Sequence, residues 1–168
     1  MRMKVLSLFA AALLLAACET APDNSAGSSG AGNVVPANQP AAAAAPVGPA
    51  PGSVEEFVAT VGDRVYFDLD KSVLKPDGQE TLKRQAAWLK KYGGKRVTIE
   101  GHCDERGTRE YNLALGEKRA NAAKDYLVAL GIDAGRIQTV SFGKERPVAF
   151  GKDEKAWSLN RRSVTIPN

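Results

Sequence analysis

From Leu113 to Leu130 the apolar and small residues fall at Leu113, Gly116, Ala120, Ala123, Leu127 and Leu130, with gaps that alternate three and four. That period belongs to an α-helix with one buried face. Gly131 stands where a left-handed C′ residue would end the helix. Just upstream, residues 95–101, KRVTIEG, alternate polar and apolar, with Val97 and Ile99 on one side, as in a half-buried strand. A strand, a loop bracketed by Gly101 and Gly107, and a long one-faced helix can bury their apolar sides only by stacking helix on sheet.

The neighbouring segments extend this plan. Ser53 with Glu56 reads as a capping box for a short first helix. Residues 64–69 read as a strand. Pro76 at its start and Gly93 at its end bound a helix with Leu82, Ala86 and Leu89 inward. Lys95–His102 is the second strand, and 137–142 and 162–166 are two more. The order βαβα, then β and β, predicts an α/β fold of the α+β type, a mixed sheet with helices packed on it, over residues 53–168.

Residues 19–52 have another character. They are rich in Ala, Pro, Gly and Ser and hold no aromatic residue, no Leu and no Ile. Such a stretch buries too little apolar area to offset its chain entropy. It reads as a disordered tether, stiffened in its second half by Pro36, Pro40, Pro46, Pro49 and Pro51. Before it, Arg2 and Lys4 precede an apolar run from Val5 to Ala17, too short to span a bilayer and suited to a signal h-region. Leu15-Ala16-Ala17-Cys18 resembles a bacterial lipobox. The expected organisation is a signal peptide at 1–17, a lipidated Cys18 with a flexible linker to 52, and a folded domain at 53–168. Cys18 would carry S-diacylglycerol and an N-palmitoyl chain, and several chains together give a durable anchor. Glu19 after the Cys favours the outer membrane.

The formal net charge is +4, from 23 basic and 19 acidic residues. Arg2 and Lys4 leave with the leader, and Glu19 and Asp23 lie in the linker, so the domain keeps 21 basic residues against 17 acidic ones. Export and the lack of any nucleic-acid-binding pattern argue against DNA or RNA as partner. The single His102 adjoins Cys103, but adjacent strand residues point to opposite faces, so they cannot make a Cys–His nucleophile. One His with Asp104 and Glu105 is too few for a metal site. The expectation is a non-enzyme with no cofactor and no metal, and Cys103 as a small packing residue. Asn160-Arg161-Arg162 offers a second anion site as one reading and, as the favoured one, arginines bracing the sheet edge and loops.

Asp104 and Arg119 carry the functional reading. Asp104 sits in the glycine-flanked loop, and Arg119 lies inside the following helix, seven residues from Asn112 and so on its face, offset from the buried stripe. An Arg can grip a carboxylate with two parallel hydrogen bonds, and an Asp can accept from an ammonium. A zwitterionic amino-acid centre fits the pair; a plain structural salt bridge is the competing reading.

The segment GHCDERGTREYNLALGEKRA, Gly101 to Ala120, resembles the signature of the OmpA-like peptidoglycan-binding domain family. YFDLDK at Tyr66–Lys71, SFGKERP at Ser141–Pro147 and NRRSV at Asn160–Val164 resemble its other landmarks in the same order, so the likeness covers most of 62–166. With the leader and linker, the chain resembles the lipid-anchored, peptidoglycan-associated members of that family. The resemblance implies a ligand, the diaminopimelate of the wall stem peptide, with Asp104 on its ammonium and Arg119 on its carboxylate. It implies that Phe67 and Asp68 line the pocket, that Asn112 holds the loop and that Leu115 packs on the peptide. It implies a tether between outer membrane and wall, a TolB-like periplasmic partner, and a part in the Tol-Pal system at cell division. Cys103 stands where the family commonly has Thr. The alternative is a lipid-anchored protein-docking module with a decayed wall site.

Overall fold

The computed structural model describes residues 48–168. The leader, Cys18 and most of the linker lie outside the described residues. α1 (Val54–Glu56) runs on into a π-turn (Phe57–Val61); β1 (Arg64–Tyr66) and α2 (Pro76–Lys91) follow. Then come β2 (Val97–His102), α3 (Arg109–Ala129), a 3₁₀ turn (Ala134–Arg136), β3 (Ile137–Gly143), α4 (Glu154–Asn160) and β4 (Arg162–Pro167). The sheet order is β1-β4-β2-β3. β2 and β3 are parallel, and β4 is antiparallel to both β1 and β2. This is the mixed sheet with packed helices that the pattern predicts.

Ser53 accepts from Glu56 N–H at 3.0 Å, as a capping residue should. The Glu56 carboxylate, however, reaches past Ser53. It accepts from Gly52 N–H at 2.7 Å, from the Trp88 indole at 3.0 Å and from the Tyr92 hydroxyl at 3.2 Å. The first helix is thereby pinned to α2, with Phe57 edge-on to Trp88 at 4.9 Å.

Leu82, Ala86 and Leu89 of α2 and Ala120, Ala123 and Leu127 of α3 bury one common core against Val97, Ile99 and Val65 of the sheet. Each large apolar side chain contributes roughly 1.5–3 kcal/mol by leaving water. α3 closes as its sequence predicts. Gly131 has φ 89°, Gly131 N–H donates to Val128 O, and Ile132 N–H donates to Leu127 O at 3.1 Å. Those two bonds make a Schellman motif.

The depth of α3 on the sheet is set at Gly101 and Gly116. A Cβ at Gly101 would sit 1.8 Å from Gly116 O, and one at Gly116 would sit 2.3 Å from Ser141 Oγ. Helix and strand therefore touch backbone to backbone, which brings Arg119 against the end of β2.

Two expectations change. The first strand ends at Tyr66 rather than Leu69. The apolar alternation of Phe67 and Leu69 continues into a turn, where Asp70 takes φ 57°. Arg119 and Asn112 are not offset from the buried stripe. Both are buried with Gly116, Ala120, Ala123 and Leu127, whereas Leu113 and Leu130 are only half-buried. α4 has no counterpart in the sequence reading.

Candidate functional site

The turn after β1, the loop after β2 and the first half of α3 meet around a cavity of about 310 Å³. Asp104, Arg119, Asn112 and Leu115 line it, together with Leu69, Asp70, Arg106, Tyr111 and Arg161. Thr108 caps α3 by accepting from Tyr111 N–H at 3.2 Å. Asn112 ties the loop to that helix start, donating to Arg106 O at 2.7 Å and Thr108 O at 2.9 Å. The loop therefore presents Asp104 from a fixed backbone.

Asp104 is 5% exposed. Its Oδ1 accepts from Arg106 N–H at 3.2 Å and from Arg106 Nε at 3.3 Å. Its Oδ2 accepts from Arg106 Nη2 at 2.6 Å and from Arg161 Nη1 at 3.3 Å. Burial pushes its pKa up, but the side-chain and backbone bonds from Arg106, with Arg161, outweigh it and hold the carboxyl below the usual carboxylate range. The Arg106 guanidinium lies 4.0 Å over the Trp157 ring. Arg161 is buried, donates to Phe67 O at 3.1 Å and pairs with Glu154.

Arg119 is fully buried. Nε donates to Lys71 O at 2.9 Å, Nη1 to His102 O at 2.9 Å and Cys103 Sγ at 3.3 Å, and Nη2 to Asp68 O at 3.1 Å. Four of the five guanidinium N–H groups are thus engaged by the protein. The two-pronged grip expected of Arg119 is not available. It offers its charge and one N–H, in a position the β1 turn holds fixed. Asp104 and Arg119 do not pair with each other: the ion-pair partners of Asp104 are Arg106 and Arg161.

Phe67 and Asp68 support Arg119 instead of walling the cavity. The Phe67 ring lies 5.3 Å beneath its guanidinium. Asp68 gives Arg119 its carbonyl, and turns its carboxylate to Lys71 and Lys75, each at 3.9 Å. On that side the wall is Leu69 and Asp70, whose carboxylate accepts from the Tyr111 hydroxyl.

Cys103 is buried, with Sγ 3.3 Å from Asn112 O, and burial pushes its thiol up while Arg119 opposes. His102 faces elsewhere. Its ring stacks on Phe142 at 5.7 Å, and Nε2 lies 3.2 Å from Glu100 Oε2. Burial first, then Arg162 and Arg146, lowers its pKa to about 4. The two neighbours therefore share no contact of a nucleophile and base. Among the described residues, no group of three His, Cys, Asp or Glu side chains could hold a metal ion.

Sequence reasoning missed Arg106, Arg161 and Asp70 as parts of the site. Arg106 had a local signal, since an Asp in a turn accepts from the N–H two residues on. Arg161 had none, because its contact with Asp104 spans 57 positions.

The cavity thus sets two carboxylates, Asp70 and Asp104, among the guanidinium groups of Arg106, Arg119 and Arg161. It suits a small ligand bearing both signs of charge.

Residues 66–161 match the model of the OmpA family. The chain is 53% identical over 118 residues to the peptidoglycan-associated lipoprotein of Brucella melitensis, covering 70% of each chain. It is 47% identical over 157 residues to the one of Agrobacterium fabrum, covering 92% of this chain and 82% of that one. It also resembles the crystal structure of the peptidoglycan-associated lipoprotein from Burkholderia pseudomallei, with TM-score 0.62 and 43% identity, covering 63% of this chain and 90% of that one.

Proposed function

The chain belongs to the OmpA family, and from that premise we propose that it is an outer-membrane lipoprotein that binds peptidoglycan non-covalently. The observation that carries the reading is that Asp104 and Arg119 border one cavity without pairing with each other. A structural salt bridge would have joined them. Opposite charges held apart around open space leave room for a zwitterion between them.

The ligand is the free amino-acid end of diaminopimelate in a stem peptide. Its ammonium approaches Asp104 and Asp70. Because Asp104 already accepts four hydrogen bonds, the ammonium displaces one of the long ones, at 3.2 or 3.3 Å, and not the 2.6 Å bond. Its carboxylate meets the charge of Arg119 and the N–H groups that Arg106 does not spend on Asp104. Leu115 packs on the methylene stem, and Asn112 keeps the loop in register. The domain acts as a binder, without chemistry on the wall.

The lipid on Cys18 holds the chain in the outer membrane, and residues 19–52 give the domain its reach. The chain serves in the Tol-Pal system, with a TolB-like periplasmic protein as second partner, in envelope integrity and division. Sedimentation with purified sacculi tests the wall claim. The parent chain should pellet with sacculi, and Asp104→Asn should stay in the supernatant while its thermal melt remains cooperative. Equal pelleting of the two proteins would remove Asp104 from recognition.

A further inference from the structure

A second cavity of about 260 Å³ lies beside the first and shares the Cys103 wall with it. Glu105, Lys144, Phe150, Lys152 and Asn160 line it. Asn160 is buried, and its side chain fixes the 147–151 turn. Oδ1 accepts from Val148 N–H at 2.8 Å and Ala149 N–H at 3.2 Å, while Nδ2 donates to Ala149 O at 2.8 Å. On this pinned turn Phe150 is 89% exposed. A large apolar ring held out by a fixed backbone is a ready contact for a partner, since little conformational freedom is left to lose on binding.

The cavity is also cationic. Lys144 Nζ donates to Glu105 O at 3.2 Å and Gly107 O at 2.7 Å, which ties the Asp104 loop to the 144 turn and leaves its third N–H unspent. Lys152 is exposed and makes no ion pair among the described residues. Glu105 is the acid in the lining, and its carboxylate accepts from the Trp157 indole at 3.3 Å.

We propose that this cavity is a second subsite on the same ligand. It takes the carboxylate-bearing peptide and saccharide portion of a muropeptide whose free amino-acid end lies between Asp104 and Arg119. The further carboxylate sits beside Lys152 and Lys144, and the apolar face of the ligand rests on Phe150. The inference rests on the wall-binding reading above. Continuity with the first cavity favours one ligand over two: the segment from Cys103 to Gly107 borders both, so a molecule leaving the first meets the second by crossing a single loop.

Full-length protein in detergent is titrated calorimetrically with free meso-diaminopimelate and with a disaccharide–tripeptide muropeptide. The parent should bind the muropeptide more tightly. Phe150→Ser and Lys152→Glu should each weaken muropeptide binding about five- to tenfold and leave diaminopimelate binding unchanged. Asp104→Asn should weaken both. Unchanged muropeptide affinity in both variants overturns the subsite, as does a parallel loss for the two ligands or a parent that binds them equally. A parent that binds neither ligand removes the wall reading itself, and the subsite with it.

Discussion

Two buried polar clusters flank the end of β2, and they differ in kind. Around Asp104 and Arg119, each side-chain nitrogen and oxygen of the pair has a partner and the cluster opens on a cavity. Around His102, Glu100 and Arg162, the ring Nδ1 of His102 and the Nε of Arg162 have no partner, and His102 borders neither cavity. His102 carries the pKa lowered to about 4, so a search for perturbed acidity alone would settle on it. Burial and a shifted pKa are common to both clusters. What separates them is fixed, satisfied geometry facing open space.

The comparison breaks most sharply at Arg119. Arg119→Ala leaves the carbonyls of Asp68, Lys71 and His102 without their donor, which should cost about 3–5 kcal/mol in urea denaturation. Arg119→Lys should recover only part of it, because a single ammonium cannot reach carbonyls served by three nitrogens. An unchanged denaturation midpoint would show that the buried guanidinium is no structural anchor. Asp104→Asn comes next. Wall binding should fall by about 2–4 kcal/mol, or thirtyfold to a thousandfold, and stability by only about 1–2 kcal/mol. Binding loss that merely follows the unfolded fraction would reduce Asp104 to a structural role.

The opposite cluster should respond to pH instead of ligand. His102 has a folded pKa near 4, below its unfolded 6.5, so the unfolded state binds more protons between those values. Stability is complete above pH 6.5 and should drain by roughly 2–3 kcal/mol as pH falls toward 4. Glu100, Arg162 and Arg146 face the ring, and the two arginines oppose its protonation. His102→Gln should flatten this slope. Asp104 has the same sign in a lower window. Its depressed pKa keeps its contribution intact until the pH falls below the ordinary carboxylate range, so binding per folded molecule should hold between pH 6.5 and 5. The smallest effect belongs to Cys103, between the two clusters. Cys103→Thr should change stability by no more than about 1–2 kcal/mol. The native thiol should react with Ellman's reagent far more slowly than the unfolded one, and fast native labelling would contradict its burial.

The sequence displays what repeats along one segment and hides what is assembled from several. The stripe of α3, its Gly131 stop and the alternation of β2 were legible because each is local. α4 was missed because its seven residues sit in a charged run, with Asp153 accepting from Ala156 N–H as a cap that only the structure makes visible. The order β1-β4-β2-β3 puts the last strand between the first two, and it brings Arg161 to Asp104. Nothing near Asp104 in the chain announces that partner. Arg119 was found, but its burial was not, because an arginine is ordinarily solvated. Its four acceptors come from two separate stretches, 68–71 and 102–103.

The bonds around Glu56 gain another meaning once the domain is under tension. A domain gripped at its cavity and pulled from its N-terminal side takes the load at Gly52 and Ser53. There one carboxylate spans Gly52 N–H, the Trp88 indole and the Tyr92 hydroxyl. The pull is passed sideways into α2, through bonds that must break together. β1, a three-residue edge strand that would otherwise peel from β4 one rung at a time, is shielded behind them. The quantity Glu56 governs is then rupture force, which an equilibrium measurement on the free domain would not register.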